Sequence, residues 1–401
     1  MTALTRSEVA VIGGGLVGVS AALGLAALGF RVTLIERRQP VIQKGRLGVD
    51  LRNVAISPAS QALLGRLGIW DHVESAAYSH MSIWEEWGAA QLGFDAADVG
   101  RSELGWLVEM SPLVCAGWQQ AEQVRRIDGV DRAGDIDIVL GNIEALSVTQ
   151  DNVDITMLGG EHFRFDFLIA ADGAQSMVRK TLQLPLLQET MDQVAIATVV
   201  RTQRTHQNTA WQRFLVDGPL AFLPTWDDHL CSVVWSQSRT QAERRMQLSD
   251  SVFCGEIERA LEARLGDILS VDQRMMLPLA QQRLENCAPV SRVLLIGDAQ
   301  RVIHPLAGQG VNLGLEDVAG IMQLAASHRD LSAPGLWTRY ARERQTRSKL
   351  MIQSLTLLRR IYANDAPAMS WLRNVGVGFF NQFDGLKHQV MREAMGLGRL
   401  N

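Results

Sequence analysis

The apolar run from Val9 to Phe30 is broken by Gly13, Gly14, Gly15 and Gly18, and this interruption constrains the fold more than any other feature of the chain. Unbroken, such a run is long enough to cross a membrane. The glycines instead predict a short strand, a tight turn and a buried helix. Glu8 to Ile12 is apolar past its first residue, as a strand in a parallel sheet covered on both faces must be. An Ala/Leu-rich helix runs from about Leu16 to Leu28 and ends at Gly29, and the next strand, Phe30 to Ile35, carries Glu36 at its tip. The whole is a βαβ unit. Gly13 permits the tight turn, Gly15 lets the backbone approach a pyrophosphate, and Gly18 lets helix and strand pack closely. The phosphate charge then meets the positive end of the helix and its unpaired N–H groups. Glu36, 23 residues beyond Gly13, stands near the spacing at which an acid accepts hydrogen bonds from an adenosine ribose. A purely structural glycine turn is the alternative to dinucleotide binding.

Two distant segments extend this site. Phe163 to Ala170 reads as another buried strand, leading into Ala171-Asp172-Gly173-Ala174-Gln175-Ser176. Val293 to Ile296 reads as a strand returning to the same sheet, followed by Gly297-Asp298 and then by Pro305 and Gly308-Gln309-Gly310-Val311-Asn312. A carboxylate at Asp298 suits a ribityl hydroxyl, while Gly308 and Gly310 let backbone approach a flat ring. Asn312 suits either a helix cap or the pyrimidine edge of that ring, and Pro305 restricts the loop between. A simple nicotinamide dehydrogenase has no use for the last two segments, so the set reads as an FAD site assembled from three places. A turn after a strand is the plain alternative for Asp172-Gly173, and a capped helix for the last segment.

The remaining chain supplies a frame. Leu51 to Leu67 starts extended and becomes helical, and Ser111 to Val124 is helical. Strand candidates Val194 to Val200, Trp211 to Leu215, Ala221 to Leu223 and Leu230 to Trp235 mark a separate strand-rich unit. Gly310 to Ala326 is a helix, and Leu336 to Gly396 is largely helical and amphipathic. The expected class is α/β: a Rossmann-like FAD-binding domain of the aromatic-hydroxylase type, an inserted strand-rich substrate domain and a C-terminal helical region. The expected boundaries are 1–75, 111–184 and 285–345 for the FAD-binding parts, 76–110 and 185–284 for the substrate strands, and 346–401 for the helical region.

A chain of 401 residues with 20% charged residues and a net charge of -4 is globular and offers no basic surface for nucleic acid. Cys115, Cys231, Cys254 and Cys287 form no CxxC pair, so free thiols are expected and no metal site is indicated. The N-terminus shows no signal-peptide pattern, which predicts a cytoplasmic protein.

The chain resembles the class A flavoprotein aromatic monooxygenases and, within them, the UbiH/UbiF/VisC family of ubiquinone-biosynthesis hydroxylases. The resemblance rests on the three glycine segments, on Arg52-Asn53-Val54-Ala55-Ile56-Ser57, on Leu107-Val108-Glu109 and on His304-Pro305-Leu306-Ala307-Gly308-Gln309-Gly310-Val311-Asn312. Trp211-Gln212-Arg213-Phe214, Asp217 to Pro224 and Leu372-Arg373-Asn374-Val375-Gly376 add to it. It implies that Gly13, Gly15, Gly18 and Glu36 hold the adenosine diphosphate half of FAD, that Arg52 approaches the flavin, and that Asp298 binds near the ribityl and pyrophosphate part. Asp172 and Gly173 resemble a motif used for both FAD and the reduced nicotinamide. A generic surface arginine is the alternative for Arg52. The family usually has histidine where this chain has Arg301, an arginine that stays charged and either turns to solvent, pairs with an acid or alters the cofactor pocket. It also often has a bulky residue where this chain has Gly117.

The implied reaction is hydroxylation of an electron-rich ring through a flavin C4a-hydroperoxide, with NADPH or NADH as electron donor, O2 as oxygen source, and neither metal nor covalent protein nucleophile. His304 beside Pro305 is the candidate for proton handling, against a structural histidine. Trp211, Phe214, Phe222 and Trp235 are candidates to line an apolar pocket, against ordinary core packing. The implied substrate is a polyprenylated phenol or methoxy-benzoquinol, nearest to 2-polyprenyl-3-methyl-6-methoxy-1,4-benzoquinol. Such a substrate suggests peripheral contact with the inner face of the inner membrane, through Leu355, Leu358, Ile361, Trp371, Phe379 and Phe380 with Arg359, Arg360, Arg373 and Lys387 towards headgroups. The same surface also suits packing on the flavin domain or on another subunit, in a homo-oligomer or a quinone-biosynthesis complex. A flavin oxidase or dehydrogenase and a non-catalytic, partner-dependent component of that complex are the competing functions.

Overall fold

Along the first strand, β1 (Glu8–Ile12), successive side chains leave on opposite sides, and both sides are buried. Val9 and Val11 join one apolar cluster, Ala10 and Ile12 another. The computed structural model, which describes residues 7–86, 91–124, 134–303, 309–362 and 383–397, shows what covers each side. The first cluster lies beneath helices α1 (Leu16–Ala27), α3 (Met110–Gln123) and α7 (Gln309–Ala325). The second lies beneath an antiparallel meander of β9 (Ile143–Val148), β10 (Val153–Met157) and β11 (His162–Phe165). Between them is a five-stranded parallel sheet, ordered β19 (Val293–Leu295), β12 (Phe167–Ala170), β1, β2 (Arg31–Glu36), β8 (Ile136–Leu140).

The apolar stretch from Phe163 to Ala170 is therefore two strands rather than one. Asp166 divides them: its carboxylate accepts from Glu8 N at 2.9 Å, and its own amide donates to the Glu8 carbonyl at 3.0 Å. Gly117 has a packing reason, since a Cβ there would stand 2.7 Å from Val19 Cγ1, where α3 crosses α1.

The second large sheet holds β5 (His80–Glu85), β6 (Gln91–Asp95), β13 (Leu186–Thr202), β14 (Thr209–Leu215), β15 (Gly218–Pro224), β16 (Leu230–Ser238), β17 (Ile268–Val271), β18 (Met275–Leu284) and β20 (Arg301–Val302). One face is sealed by α5 (Arg239–Met246) and α6 (Asp250–Ala260). Its edge strand β20 follows directly on the Gly297–Ala299 turn, so the third glycine segment is the joint between the two sheets. A small sheet of β3 (Asn53–Ile56), β7 (Gly105–Glu109) and β4 (Ser75–Tyr78) takes the other strands from the 76–110 region. Ser57 caps α2 (Pro58–Arg66) through a bond from Ser60 N.

The C-terminal part contributes α8 (Thr338–Tyr362) and α9 (Asp384–Ala394). Lys387 does not face outward as expected: its Nζ pairs with Asp98 Oδ2 at 2.8 Å and lies over the Phe94 ring. Trp371, Arg373, Phe379 and Phe380 lie outside the described residues, as do the side chains of Leu355, Leu358, Arg359, Arg360 and Ile361. Among the described residues, no helix is long and apolar enough to cross a membrane. All four cysteines are free, as expected, and burial pushes the Cys287 thiol up to about 12.

Candidate active site

The three glycine segments leave adjacent strands of the parallel sheet and meet. Gly13, at φ +105°, donates to the Ile35 carbonyl at 2.9 Å, and a Cβ on it would fall 2.4 Å from the Ala171 carbonyl oxygen. A Cβ on Gly18 would lie 1.9 Å from the Gly13 carbonyl oxygen, so helix and turn touch there. Gly15 differs. It caps α1 with no side-chain bond, and a Cβ added to it would meet nothing within 4 Å. The helix has no acidic residue in its own first turn. Open space before exposed helix N–H groups is what a phosphate needs.

Glu36 Oε2 accepts from Gly14 N at 2.6 Å, and Oε1 accepts from Arg37 N at 2.7 Å. Behind Gly14 stands Trp118, buried, whose Nε1 donates to the Gly14 carbonyl at 2.7 Å. Nothing in the spacing of Trp118 from the glycines announces this contact.

In the second segment, Asp172 Oδ2 accepts from Met177 N at 2.6 Å and Val178 N at 3.2 Å, holding the start of α4 (Met177–Thr181). Its Oδ1 is buried with no partner among the described residues. An orphaned buried acceptor is costly, and here it lies next to Gly173, at φ +80° with open space where a Cβ would be. A further residue, missed in the sequence, ties this segment to the third. Arg179, 5% exposed, donates through Nη2 to the Ala174 carbonyl at 2.6 Å and through Nη1 to the Ala299 carbonyl at 3.0 Å. Burial lowers its pKa, opposed by the charge of Asp172.

The third segment closes the set. Ile296 N donates to the Ala170 carbonyl at 2.9 Å, and Cβ atoms on Gly297 and Gly314 would meet Val17 at 3.3 and 2.6 Å. The Asp298 side chain is reachable by solvent, yet burial pushes its carboxyl above the usual range, with Arg301 pulling it back. Both hold for a carboxylate in a recess walled by protein. Gly310 has open space at its Cβ position, and Val311 is half-buried against the core. Asn312, expected to cap the helix or meet the ring, is buried beside β3 and the start of α2. Its Nδ2 donates to the Ala55 carbonyl at 2.8 Å and its Oδ1 accepts from Ser57 N at 2.9 Å, fastening α7 to β3 and α2. His304, Pro305 and Gly308 lie outside the described residues.

Arg52 is exposed on a loop whose backbone is fixed by two buried acids, Asp50 and Glu109. Asp50 accepts from Arg52 N at 2.9 Å and Ser111 N at 3.0 Å, while Glu109 accepts from Asp50 N at 2.6 Å. Beside it, Val49 packs on Val199 and Leu230 of the large sheet. Across the adjoining face Met275, Ala197, Val234, Ala221, Gln212 and Ile83 lie side by side on successive strands. Phe222 and Trp235 belong instead to the buried cluster beneath α5 and α6, and Trp211 packs against it. These aromatics are core, and of the expected four Phe214 falls on the face opposite α5 and α6. A cavity of about 310 Å³ between α2, α7, α8 and α9 is lined by the side of α7 facing away from Gly314, so it is not part of the glycine-segment site.

The residues present thus fit FAD: an open helix terminus, an orphaned carboxylate oxygen and glycines with room for a close approach. The FAD binding domain family matches residues 6–354. The chain is 33% identical to 3-demethoxyubiquinol 3-hydroxylase of Escherichia coli over 98% of its length and 99% of that protein's. It is 30% identical to the human mitochondrial ubiquinone biosynthesis monooxygenase COQ6, covering 96% of this chain and 92% of that one. Among solved structures it superimposes on p-nitrophenol 4-monooxygenase PnpA of Pseudomonas putida DLL-E4 with a TM-score of 0.75 at 19% identity, over 99% of both chains. The FAD complex of R204Q HpxO from Klebsiella pneumoniae gives 0.74 at 16% identity, over 99% and 100%. These structures share the fold, that of the class A flavoprotein monooxygenases. Matched over most of its length by the family and over nearly all of it by these relatives, the chain is an FAD-dependent monooxygenase and belongs to the UbiH/UbiF/VisC family of hydroxylases.

Proposed function

We propose that this enzyme hydroxylates a polyprenylated methoxy-benzoquinol or phenol in ubiquinone biosynthesis, with NADPH or NADH as electron donor and O2 as the source of oxygen. The observation that carries the reading is the convergence of the three segments at the ends of β1, β12 and β19, beside a sheet face that no helix among the described residues is seen to cover. The names of the curated relatives supply the substrate class.

Bound FAD supplies chemistry that no side chain here can, the passage of electrons from a nicotinamide to O2. The chain's residues bind and orient. Gly13, Gly15 and Gly18 hold the adenosine diphosphate half at the helix terminus. Glu36 accepts from its ribose with the lone pairs its two backbone bonds leave over. Asp172 and Gly173 would serve cofactor and nicotinamide, Asp298 would accept from a ribityl hydroxyl, Arg52 would approach the ring, and Gly308, Gly310 and Val311 would contact it. Asn312 contributes by fixing α7, and His304 beside Pro305 handles a proton. The row from Met275 to Ile83, apolar but for Gln212, forms one wall for the substrate ring and limits water beside it. A substrate with a polyprenyl tail brings the enzyme to a membrane surface, which cosedimentation with quinone-loaded vesicles tests.

The decisive experiment is turnover of the quinol under labelled O2. One labelled oxygen atom in the ring product is expected. NAD(P)H oxidation that leaves the product unlabelled would make the protein an oxidase or dehydrogenase instead.

A further inference from the structure

Arg301 is 3% exposed and Asp317, its partner, is fully buried. Arg301 Nη1 donates to Asp317 Oδ2 at 2.9 Å, and Nη2 donates to the Leu313 carbonyl at 2.6 Å. The same Asp317 Oδ2 accepts from Gly297 N at 3.0 Å, so one oxygen holds both the guanidinium and the first amide of the turn. From α8, Arg344 Nε donates to Asp317 Oδ1 at 2.6 Å and Nη2 to that Leu313 carbonyl at 2.9 Å. Burying ions this deep costs several kcal/mol each, and apolar side chains of similar volume often stabilise as well or better. What an apolar trio lacks is an acceptor for Gly297 N and a cation near Asp298.

We infer that Arg301 is a positioning residue for the cofactor: through Asp317 it fixes the Gly297–Asp298 turn on α7, and it places a buried cation three residues along the chain from the Asp298 carboxylate. The inference rests on the reading of Asp298 as a cofactor contact. The charged groups around the turn are Arg301 on β20, Asp317 on α7, Arg344 on α8 and, holding the Ala299 carbonyl, Arg179 on α4 with Asp172 beside it. Among these, Arg301 is the one whose charge opposes the effect of burial on Asp298. The direction follows. Burial raises the carboxyl and Arg301 lowers it, so removing the cation lets Asp298 protonate at higher pH. Binding that needs the carboxylate then fails earlier as pH falls.

The test is FAD titration of the full-length apoprotein by flavin fluorescence across a pH series, with the apoprotein unfolding midpoint recorded alongside. Arg301→Gln moves the acid limb of FAD affinity to higher pH and weakens binding several-fold on that limb, while Arg301→Lys restores the wild-type limb. Arg301→Met is the second neutral variant if glutamine prevents folding, since Arg344 still pairs with Asp317 in both. Asp298→Asn separates the two ideas. If it abolishes the limb and neutral variants at position 301 leave that limb in place, Arg301 is only structural and the Asp298 reading survives. If Asp298→Asn changes neither affinity nor limb, the Asp298 reading fails and takes this inference with it.

Discussion

Two glycines three residues apart are held by different pressures. Gly18 is glycine because the Gly13 carbonyl leaves no room for a Cβ, whereas Gly15 has protein on no side of that position. Alanine at 18 must push helix and turn apart, an overpacking cost of about 1–3 kcal/mol. Alanine at 15 leaves the unfolding midpoint of the apoprotein unchanged but cuts FAD affinity at least about tenfold, about 1.4 kcal/mol, by standing where a phosphate approaches. Urea melts paired with FAD titrations check both, and equal effects on stability and affinity in the two variants would contradict the assignment. The glycines were legible because their neighbours in sequence also form the turn they serve. The link from Arg179 to Ala299 and that from Trp118 to Gly14 were not, because the carbonyls lie 120 and 104 residues away and only the assembled sheet brings them close. The bonds of Asn312 to Ala55 and Ser57 were hidden for the same reason, since those partners lie 257 and 255 residues away.

Among the elements, the strand-rich unit tests the assignment of faces. Ala221 lies in the apolar row, and its neighbour Phe222 lies in the core beneath α5 and α6. Phenylalanine at 221 is expected to keep FAD bound while raising the KM for quinol about tenfold or more, through lost room for the ring. Unchanged steady-state kinetics would move the substrate wall elsewhere. The strand alternation was readable in the sequence, but which side met the helices was not, so Trp211, Phe222 and Trp235 looked as eligible for the pocket as Phe214. On the covered side, Arg244 and Arg245 of α5 clasp Glu256 of α6 at 2.7 and 3.0 Å. The bond from Arg244, helped by Arg245 and opposed by burial, brings the Glu256 carboxyl down to about 2 from 4.5. A depressed carboxylate stabilises above its unfolded pKa and loses that contribution as pH falls through the folded one. Wild type and Glu256→Gln should therefore differ most above pH 4.5 and converge towards about 2 in acid-unfolding curves. Parallel curves would show the pair to be energetically idle.

For the molecule as a whole, FAD is expected to act as a linchpin between sheets, since its proposed contacts come from all three segments and the last of these joins the sheets. At a free concentration about 100 times its Kd, it should raise stability by about 2.7 kcal/mol. Thermal unfolding with and without FAD measures this, and a midpoint unmoved by saturating FAD would break the link. The broad architecture was legible because a βαβ unit, a strand-rich middle and a helical end differ in the period of their apolar residues. The split at Asp166 was hidden, since apolar residues on both sides of it are buried, one set by the meander and the other by the core sheet.

The strand order β19-β12-β1-β2-β8 has a consequence for synthesis. When the first βαβ unit leaves the ribosome, the partner that will flank β1, Phe167–Ala170, is more than a hundred residues from being made, and Val293–Leu295 comes later still. Until then β1 is an apolar edge with its hydrogen-bonding groups unmatched, a template for wrong pairing. On the proposed site the cofactor cannot protect it early, because the contacts assigned to Asp172 and Asp298 are still missing. FAD capture is therefore a late event in the birth of this chain, and the nascent N-terminal half is where chaperone protection matters most.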